Sequence, residues 1–272
     1  MNRQNLIQTA AQTIAICQAG TYTTPSGTAV NIASSIDEAL ASAQIVALDD
    51  VTNLPRQADT KPEITVTAMT TLDAAEKLAR QPGHRPTVLV FASARHPGGG
   101  FQNGAMAQEE DIAYRSTLFT ALAAQTSYYA DSINNLNGTL YFDKALHIKS
   151  LCTIRDGEYE LCLPWKYDAV IAPAPNRGSA ITKGISEGAI SAAMKRRIDL
   201  VLRTMAINGD KDIVLGAFGC GVFKNRPDKV AALFKAALHE LGPHFNHVLF
   251  AIPGSTSPNY QAFAKAFPTN KR

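Results

Sequence analysis

The chain has 272 residues, is 46% hydrophobic and carries a net charge of +3. That is enough apolar material to bury a core in one large domain, and too little charge, too evenly spread, to mark a duplex-DNA binder by itself. Its longest apolar runs, "TVLVFASA" and "DIVLGAFG", fall well short of the roughly 20 residues that span a bilayer, so no membrane partner is expected.

The N-terminal stretch "MNRQNLIQTAAQTIAICQAG" lacks the apolar centre and cleavage site of a secretory signal. Its Gln, Thr and Ala spacing predicts an amphipathic helix over 4–18, and a cytoplasmic location follows as the expectation. Residues 34–43 also read as helix, "EITVTA" at 63–68 alternates like a strand, and "TLDAAEKLARQPG" reads as a helix ended by Pro82-Gly83. From residue 87 the pattern becomes regular: a buried strand "TVLVFASA", a glycine loop, a helix over about 108–126, and a strand "DAVIAPAP" at 168–175. A helix over 185–206 stops at Asn208-Gly209, and a second strand, "DIVLGAFG", runs into Gly219-Cys220-Gly221. A helix after Pro227 and a last strand "HVLFAI" at 247–252 complete the series. Strands alternating with helices predict an α/β fold, a three-layer α/β/α sandwich with no repeat.

In such sheets ligands sit at the C-terminal ends of strands, where loops enter helices, and both glycine loops hold that position. Their backbone N–H groups could receive an anion, and two such loops suggest a diphosphate. "GAFGCGVFKN" has no Gly-Lys-Ser/Thr ending, which argues against a P-loop. Lys224 stands where a dinucleotide fingerprint needs its third glycine. The alternative is that the glycines make tight turns, a reading that weakens for three in succession, Gly98, Gly99 and Gly100.

Glu109 and Glu110 begin the helix that follows. Neighbouring helical side chains point about 100° apart, so the two carboxyls need distinct roles. A helix N-terminus favours the anion, whereas a general acid needs burial to raise its pKa, so whichever glutamate a ligand buries is the acid candidate. The other reading is that Glu109, Glu110 and Asp111 simply complement the helix dipole. Cys17, Cys152, Cys162 and Cys220 form no Cys-x-x-Cys pair and predict free thiols. Cys220 lies at a helix entrance, yet no histidine is identifiable as its base. The spacing of His239, His244 and His247 crosses a Gly-Pro helix end and completes no metal set. Phe223 is either a helix-entry staple, with Asn225 or Arg226 at the cap, or a ring over a bound sugar or base.

The stretch "GGGFQNGAMAQEE" resembles the Gly-Gly-Gly-x(6-8)-Gln-Glu-Glu signature of poly(ADP-ribose) glycohydrolases, with seven residues between. "GAFGCGVFKN" resembles the diphosphate loop of the shorter, microbial-type members, "APAPN" at 172–176 their strand-end segment, and "AAQTIAICQAGTYTTPSG" their opening. The likeness covers most of the chain and is weakest at 127–165 and after 255. It implies a macrodomain-like sandwich with a mixed central sheet at 61–272, and a helical N-terminal extension packed on it at 1–60.

The resemblance further implies hydrolysis of ribose–ribose O-glycosidic bonds of poly(ADP-ribose), exo-type, with ADP-ribose released and neither cofactor nor metal. Glu110 is implied as acid and base and Glu109 as the partner of neighbouring ribose hydroxyls. Gly98, Gly99, Gly100, Asn103 and Gln108 belong to the implied substrate site, with Asn103 on ribose hydroxyls. Gly219, Cys220, Gly221 and Val222 would hold the diphosphate and Phe223 would pack on the terminal ribose. His96 stands where members often carry Lys or Arg. ADP-ribosylated macromolecules are the expected partners and a monomer the expected state. The alternatives are a non-hydrolytic ADP-ribose reader and a hydrolase of mono(ADP-ribosyl) groups on protein or nucleic acid.

Overall fold

The computed structural model describes residues 1–55 and 61–268. It opens with α1 (Arg3–Ala19), a hairpin of β1 (Thr21–Thr23) and β2 (Ala29–Asn31), α2 (Ala33–Ser42) and β3 (Gln44–Ala47). Asn2 caps α1 by accepting from Asn5 N–H at 2.9 Å, and Gly20, at φ +69°, ends it in the left-handed conformation that glycine tolerates. There follow β4 (Glu63–Thr67), α3 (Thr71–Ala79), β5 (Pro86–Phe91), α4 (Gln108–Arg115), α5 (Leu118–Ala123) and α6 (Thr126–Asn134). The second half contains β6 (Lys144–Cys152), β7 (Lys166–Ala172), α7 (Arg177–Thr182), α8 (Glu187–Ile207) and β8 (Asp212–Leu215). It ends with α9 (Pro227–Leu241), β9 (His247–Ala251) and α10 (Pro258–Ala266).

Seven strands form one mixed sheet in the order β3-β6-β7-β5-β8-β9-β4. From β7 to β4 all neighbours are parallel; β6 runs antiparallel to β7 and β3. The inner parallel strands β5, β7 and β8 are buried and apolar beyond their first residues because both of their faces are covered. Leu89 and Val170 face the α8 and α9 side with Phe234 and Leu238, whereas Val88, Val90 and Ile171 face α3, α4 and α5 with Leu72, Ile112 and Leu122. The result is the expected three-layer, macrodomain-like sandwich, and none of the described helices is long and apolar enough to cross a membrane.

Two features depart from the sequence reading. Residues 1–60 are not helical alone, since they contribute the hairpin and also β3, an edge strand of the main sheet; the expected division at residue 60 falls on 56–60, outside the described residues. The single helix expected over 108–126 is three pieces, α4, α5 and the start of α6. Ser116 leaves helical space at φ −152°, ψ 179° and bridges Thr153, and its hydroxyl accepts the Leu118 N–H at 3.2 Å. Buried positions continue in phase across that break, so periodicity alone does not reveal it.

Candidate active site

The parallel strands end on one edge, and their loops converge on a cleft of about 540 Å³. Phe91, Ala217 and Ala251 line it from the ends of β5, β8 and β9, joined by Thr70 and Thr71 after β4 and by Gln108 and Asp111 of α4. Gly219, Gly221, Val222 and Phe223 line the opposite stretch. Gly98, Gly99, Gly100, Asn103, Glu109, Glu110 and Cys220 are not part of that lining; the glutamates stand just beyond Gln108 and are buried, 3% and 8% exposed.

The α4 glutamates are held by the backbone around them. Glu110 Oε1 accepts the Gly100 N–H at 2.9 Å and Oε2 the Ala107 N–H at 3.1 Å. Glu109 Oε2 accepts the Ser93 N–H at 2.7 Å, while its Oε1 is buried without a partner. Burial raises the Glu109 carboxyl well above the usual carboxylate range; the Ser93 N–H lowers it, and the nearby Glu110 raises it again. At this position burial therefore outweighs the positive helix end, and the two adjacent carboxyls occupy different environments.

Of the three successive glycines, Gly99 is the one that admits them. Gly98 and Gly99 have φ of +67° and +58°, and a Cβ at Gly99 would run into Glu110 Oε1 and stand 3.1 Å from Glu109 Oε2. The first loop does not offer the free anion cradle expected of it. The Gly99 N–H is bonded to His96 O at 3.0 Å and that of Gly100 to Glu110. The backbone donors of Gly99 and Gly100 thus shape a turn and fix a carboxyl. Phe101 O and Ala105 O lie 2.8 Å from the buried Tyr114 hydroxyl, and Arg3 Nε donates to Asn103 O at 3.0 Å. Helix α1 therefore backs the loop, packing Leu6 and Ala10 against Phe101 and Tyr114. The Asn103 residue itself is exposed.

Gln108 is fully occupied as a donor. Its Oε1 accepts the Phe91 N–H at 2.8 Å, and its Nε2 donates to Leu89 O at 2.7 Å and Thr71 Oγ1 at 3.1 Å. The amide thus stitches α4 to the end of β5, which sets the depth of both glutamates.

The second glycine loop is different. Among the described residues, the N–H groups of Gly219, Gly221, Val222 and Phe223 have no acceptor within the protein, whereas that of Cys220 is spent on Ala217 O at 3.0 Å. Open, successive backbone donors at a strand end form an anion-binding concavity. Of the two cap candidates, Arg226 takes the N-cap position of α9, and Asn225 has another role. It is no helix cap: its buried amide donates to Pro175 O at 2.8 Å and Gly219 O at 3.0 Å, locking the loop to the segment after β7. Gly219, at φ +70°, leaves no room for a Cβ, which would come within 2.6 Å of Ala174 Cβ. Phe223 packs toward Tyr141, ring centroids 6.0 Å apart, and is only partly buried.

A further wall comes from the stretch with weakest periodicity. Tyr159, at φ +68°, donates from its hydroxyl to Asp111 Oδ1 at 2.5 Å, and both residues line the cleft. Behind them Arg115 binds Asp73 at 2.7 Å. Burial raises the Asp111 carboxyl, with Arg115 opposing. No sequence pattern marks a left-handed tyrosine, so this wall had no signal.

Several other candidates find no support. The Cys220 thiol is pushed up to about 12 by burial, with Asp228 adding to it, so a thiolate nucleophile is disfavoured. All four cysteines are free thiols. His239 and His244 join no group of three potential metal ligands among the described residues; His247 instead meets His84 and Asp212 at the far edge of the sheet. His96 is exposed.

The family model for the microbial-type PARG catalytic domain matches residues 10–156, more than half of the chain. The crystal structure of poly(ADP-ribose) glycohydrolase from Thermomonospora curvata is 34% identical, with TM-score 0.91, covering 97% of this chain and 100% of that one. The same enzyme bound to the inhibitor ADP-HPD superposes with TM-score 0.89 at 34% identity over the same shares. The Deinococcus radiodurans enzyme in complex with ADP-ribose is 29% identical, with TM-score 0.78, over 85% of this chain and 96% of that one. A comparison with curated proteins finds no match.

Proposed function

The chain belongs to the microbial-type poly(ADP-ribose) glycohydrolase family, and from that premise we propose that Glu110 is the acid and base with which it hydrolyses the ribose–ribose O-glycosidic bonds of poly(ADP-ribose). The observation that carries the assignment is the pair of backbone bonds, from Gly100 and Ala107, that fix both Glu110 oxygens beside the glycine run. In the reaction the bond from the ribose anomeric carbon to the leaving ribose oxygen breaks, and Glu110 gives that oxygen a proton. Water then adds to the oxocarbenium-like carbon and returns its proton to Glu110.

Glu109 is assigned to ribose hydroxyls. Its raised pKa suits a neutral carboxyl, and its buried, unpartnered Oε1 is an atom that a bound hydroxyl would satisfy. The same raised pKa favours a second reading, in which Glu109 is the proton donor. Separate Gln variants distinguish the two: the proton donor loses turnover, while the hydroxyl partner mainly raises KM.

The open N–H groups of Gly219, Gly221, Val222 and Phe223 are assigned to the diphosphate, which in turn helps to stabilise the cationic ribose. Gly98, Gly99, Gly100, Gln108 and Cys220 serve chiefly to shape the site, Asn103 to meet a ribose hydroxyl, and the Phe223 ring to cover the terminal ribose. A cleft of about 540 Å³ suits a single nucleotide-sized unit and supports exo-type release of ADP-ribose; a monomer is the proposed state. ADP-ribosylated macromolecules are the corresponding partners, and the free thiols fit a cytoplasmic setting.

The test is a polymer of defined length with its terminal ribose blocked. Exo-type action leaves it intact while an unblocked chain yields ADP-ribose; mid-chain oligomers from the blocked chain would exclude it. Release of ADP-ribose from singly modified protein or nucleic acid, with no action on polymer, would instead identify a mono(ADP-ribosyl) hydrolase.

A further inference from the structure

The parallel strands begin on the edge opposite the cleft, and there a group of donors stands that hydrolysis does not use. Asp212 and His247 are the first residues of β8 and β9 and lie in register, while His84 comes from the turn that leads from α3 into β5. His84 Nδ1 is 2.8 Å from Asp212 Oδ2, and His247 Nδ1 is 2.6 Å from Asp212 Oδ1. All three donor positions fall within 4.8 Å of one another. The Asp212 side chain is 7% exposed, whereas the two imidazoles are 24% and 29% exposed. An ion would thus find an anchored carboxylate at the back and a path from solvent between two rings. Glu63 is the register partner of His247 on the next strand, and parallel partners share a face, which places a second carboxylate in the same row.

We propose that His84, Asp212 and His247 form a binding site for a zinc-class divalent cation. Two imidazoles and a carboxylate suit a borderline ion such as Zn2+, whereas Mg2+ and Ca2+ favour all-oxygen sets. Three protein ligands leave further coordination positions to water. Without metal each ring is held by Asp212; with metal, the Nδ1 lone pairs turn to the ion and the ring protons reside on Nε2. Ligand atoms on one Zn2+ stand roughly 3.3 Å apart, given bonds of about 2.0 Å in a tetrahedron, so the present contacts of 2.8 and 2.6 Å open by roughly 0.5 and 0.7 Å. Binding ties together the starts of three adjacent strands, β5, β8 and β9, whose other ends carry the cleft.

The experiment uses untagged full-length protein, treated with chelator and dialysed against Zn2+, with bound metal counted by elemental analysis. Co2+ serves as a spectroscopic probe of the same site, and thermal melting is followed with and without Zn2+. The wild type and a His239→Asn control should each retain a single equivalent, show Co2+ ligand-field bands and melt higher with Zn2+. His84→Asn and His247→Asn should lose all three signals while keeping the wild-type circular dichroism spectrum. Asp212→Asn should do the same, and because Asp212 is buried the two histidine variants decide the matter if it fails to fold. Absence of stoichiometric metal in the wild type, or its retention in both histidine variants, would overturn the proposal. Hydrolysis plays no part in these readouts, so they are independent of the function assigned above.

Discussion

Glu109 and Glu110 are neighbours in sequence with different surroundings: one is tied to Ser93 and left with an unpartnered oxygen, the other has both oxygens tied to backbone. Because burial raises the Glu109 pKa, the folded chain keeps a proton that the unfolded chain has lost. This favourable contribution is complete below the unfolded carboxyl value of about 4.3 and is lost as pH rises toward the raised folded value. Glu109→Gln removes that loss, so its Tm should equal the wild-type Tm in acid and exceed it increasingly as pH rises through the window. A constant Tm difference across the titration would contradict the assignment. Gly99→Ala tests the packing of the glycine run against the same carboxyls. The left-handed φ costs about 1–3 kcal/mol for a residue with a side chain, and displacement of Glu110 should lower turnover on the order of 100-fold. Wild-type turnover in a folded Gly99→Ala protein would remove the argument that the glycine exists to admit Glu110.

At the scale of elements, the site depends on how loops are tied to strand ends. Gln108 fastens α4 to β5, Tyr114 and α1 back the first glycine loop, and Asn225 fastens the second loop to the segment after β7. Asn225→Ala leaves the Pro175 and Gly219 carbonyls without that donor, at a cost of about 1–3 kcal/mol. The expected outcome is weaker ADP-ribose binding by calorimetry, because the free N–H groups of Gly221, Val222 and Phe223 lose their fixed orientation, with Glu110 geometry retained. Unchanged affinity would mean that the loop is ordered without Asn225. The glycine runs could be read from sequence because the positive φ of Gly98, Gly99 and Gly219 is a local conformational demand, whereas the roles of the glutamate pair came from the family signature. Asn225 could not be read in this way, since its partners lie far along the chain or behind a loop whose closure is not locally encoded. The break at Ser116 was hidden for a related reason: its hydroxyl and its bridge to Thr153 end the helix while leaving the apolar period in phase.

For the molecule as a whole, the parallel strands were legible because burial on both faces makes them continuous apolar runs, as in "TVLVF" and "DIVL". Their loops then had to fall on one edge. The other side of the sheet was not legible. β6 carries His147, Lys149 and Ser150 among its apolar residues, and the buried His147 is accommodated by Asp210 at 3.1 Å, a contact across 63 positions of sequence. β3 is only four residues long and joins the sheet through β6, so neither its length nor its composition signals a strand. The order of strands depends on pairing between distant segments, which no local pattern reports.

The measurement that bears most directly on the account is incubation of poly(ADP-ribose) with wild-type protein and with Glu110→Gln, counting free ADP-ribose by chromatography and mass and recording ADP-ribose binding by calorimetry. Release by the wild type, a loss of about 100- to 10,000-fold in the variant, and binding in both are expected. Release by Glu110→Gln at the wild-type rate, or binding without release by the wild type, would contradict it.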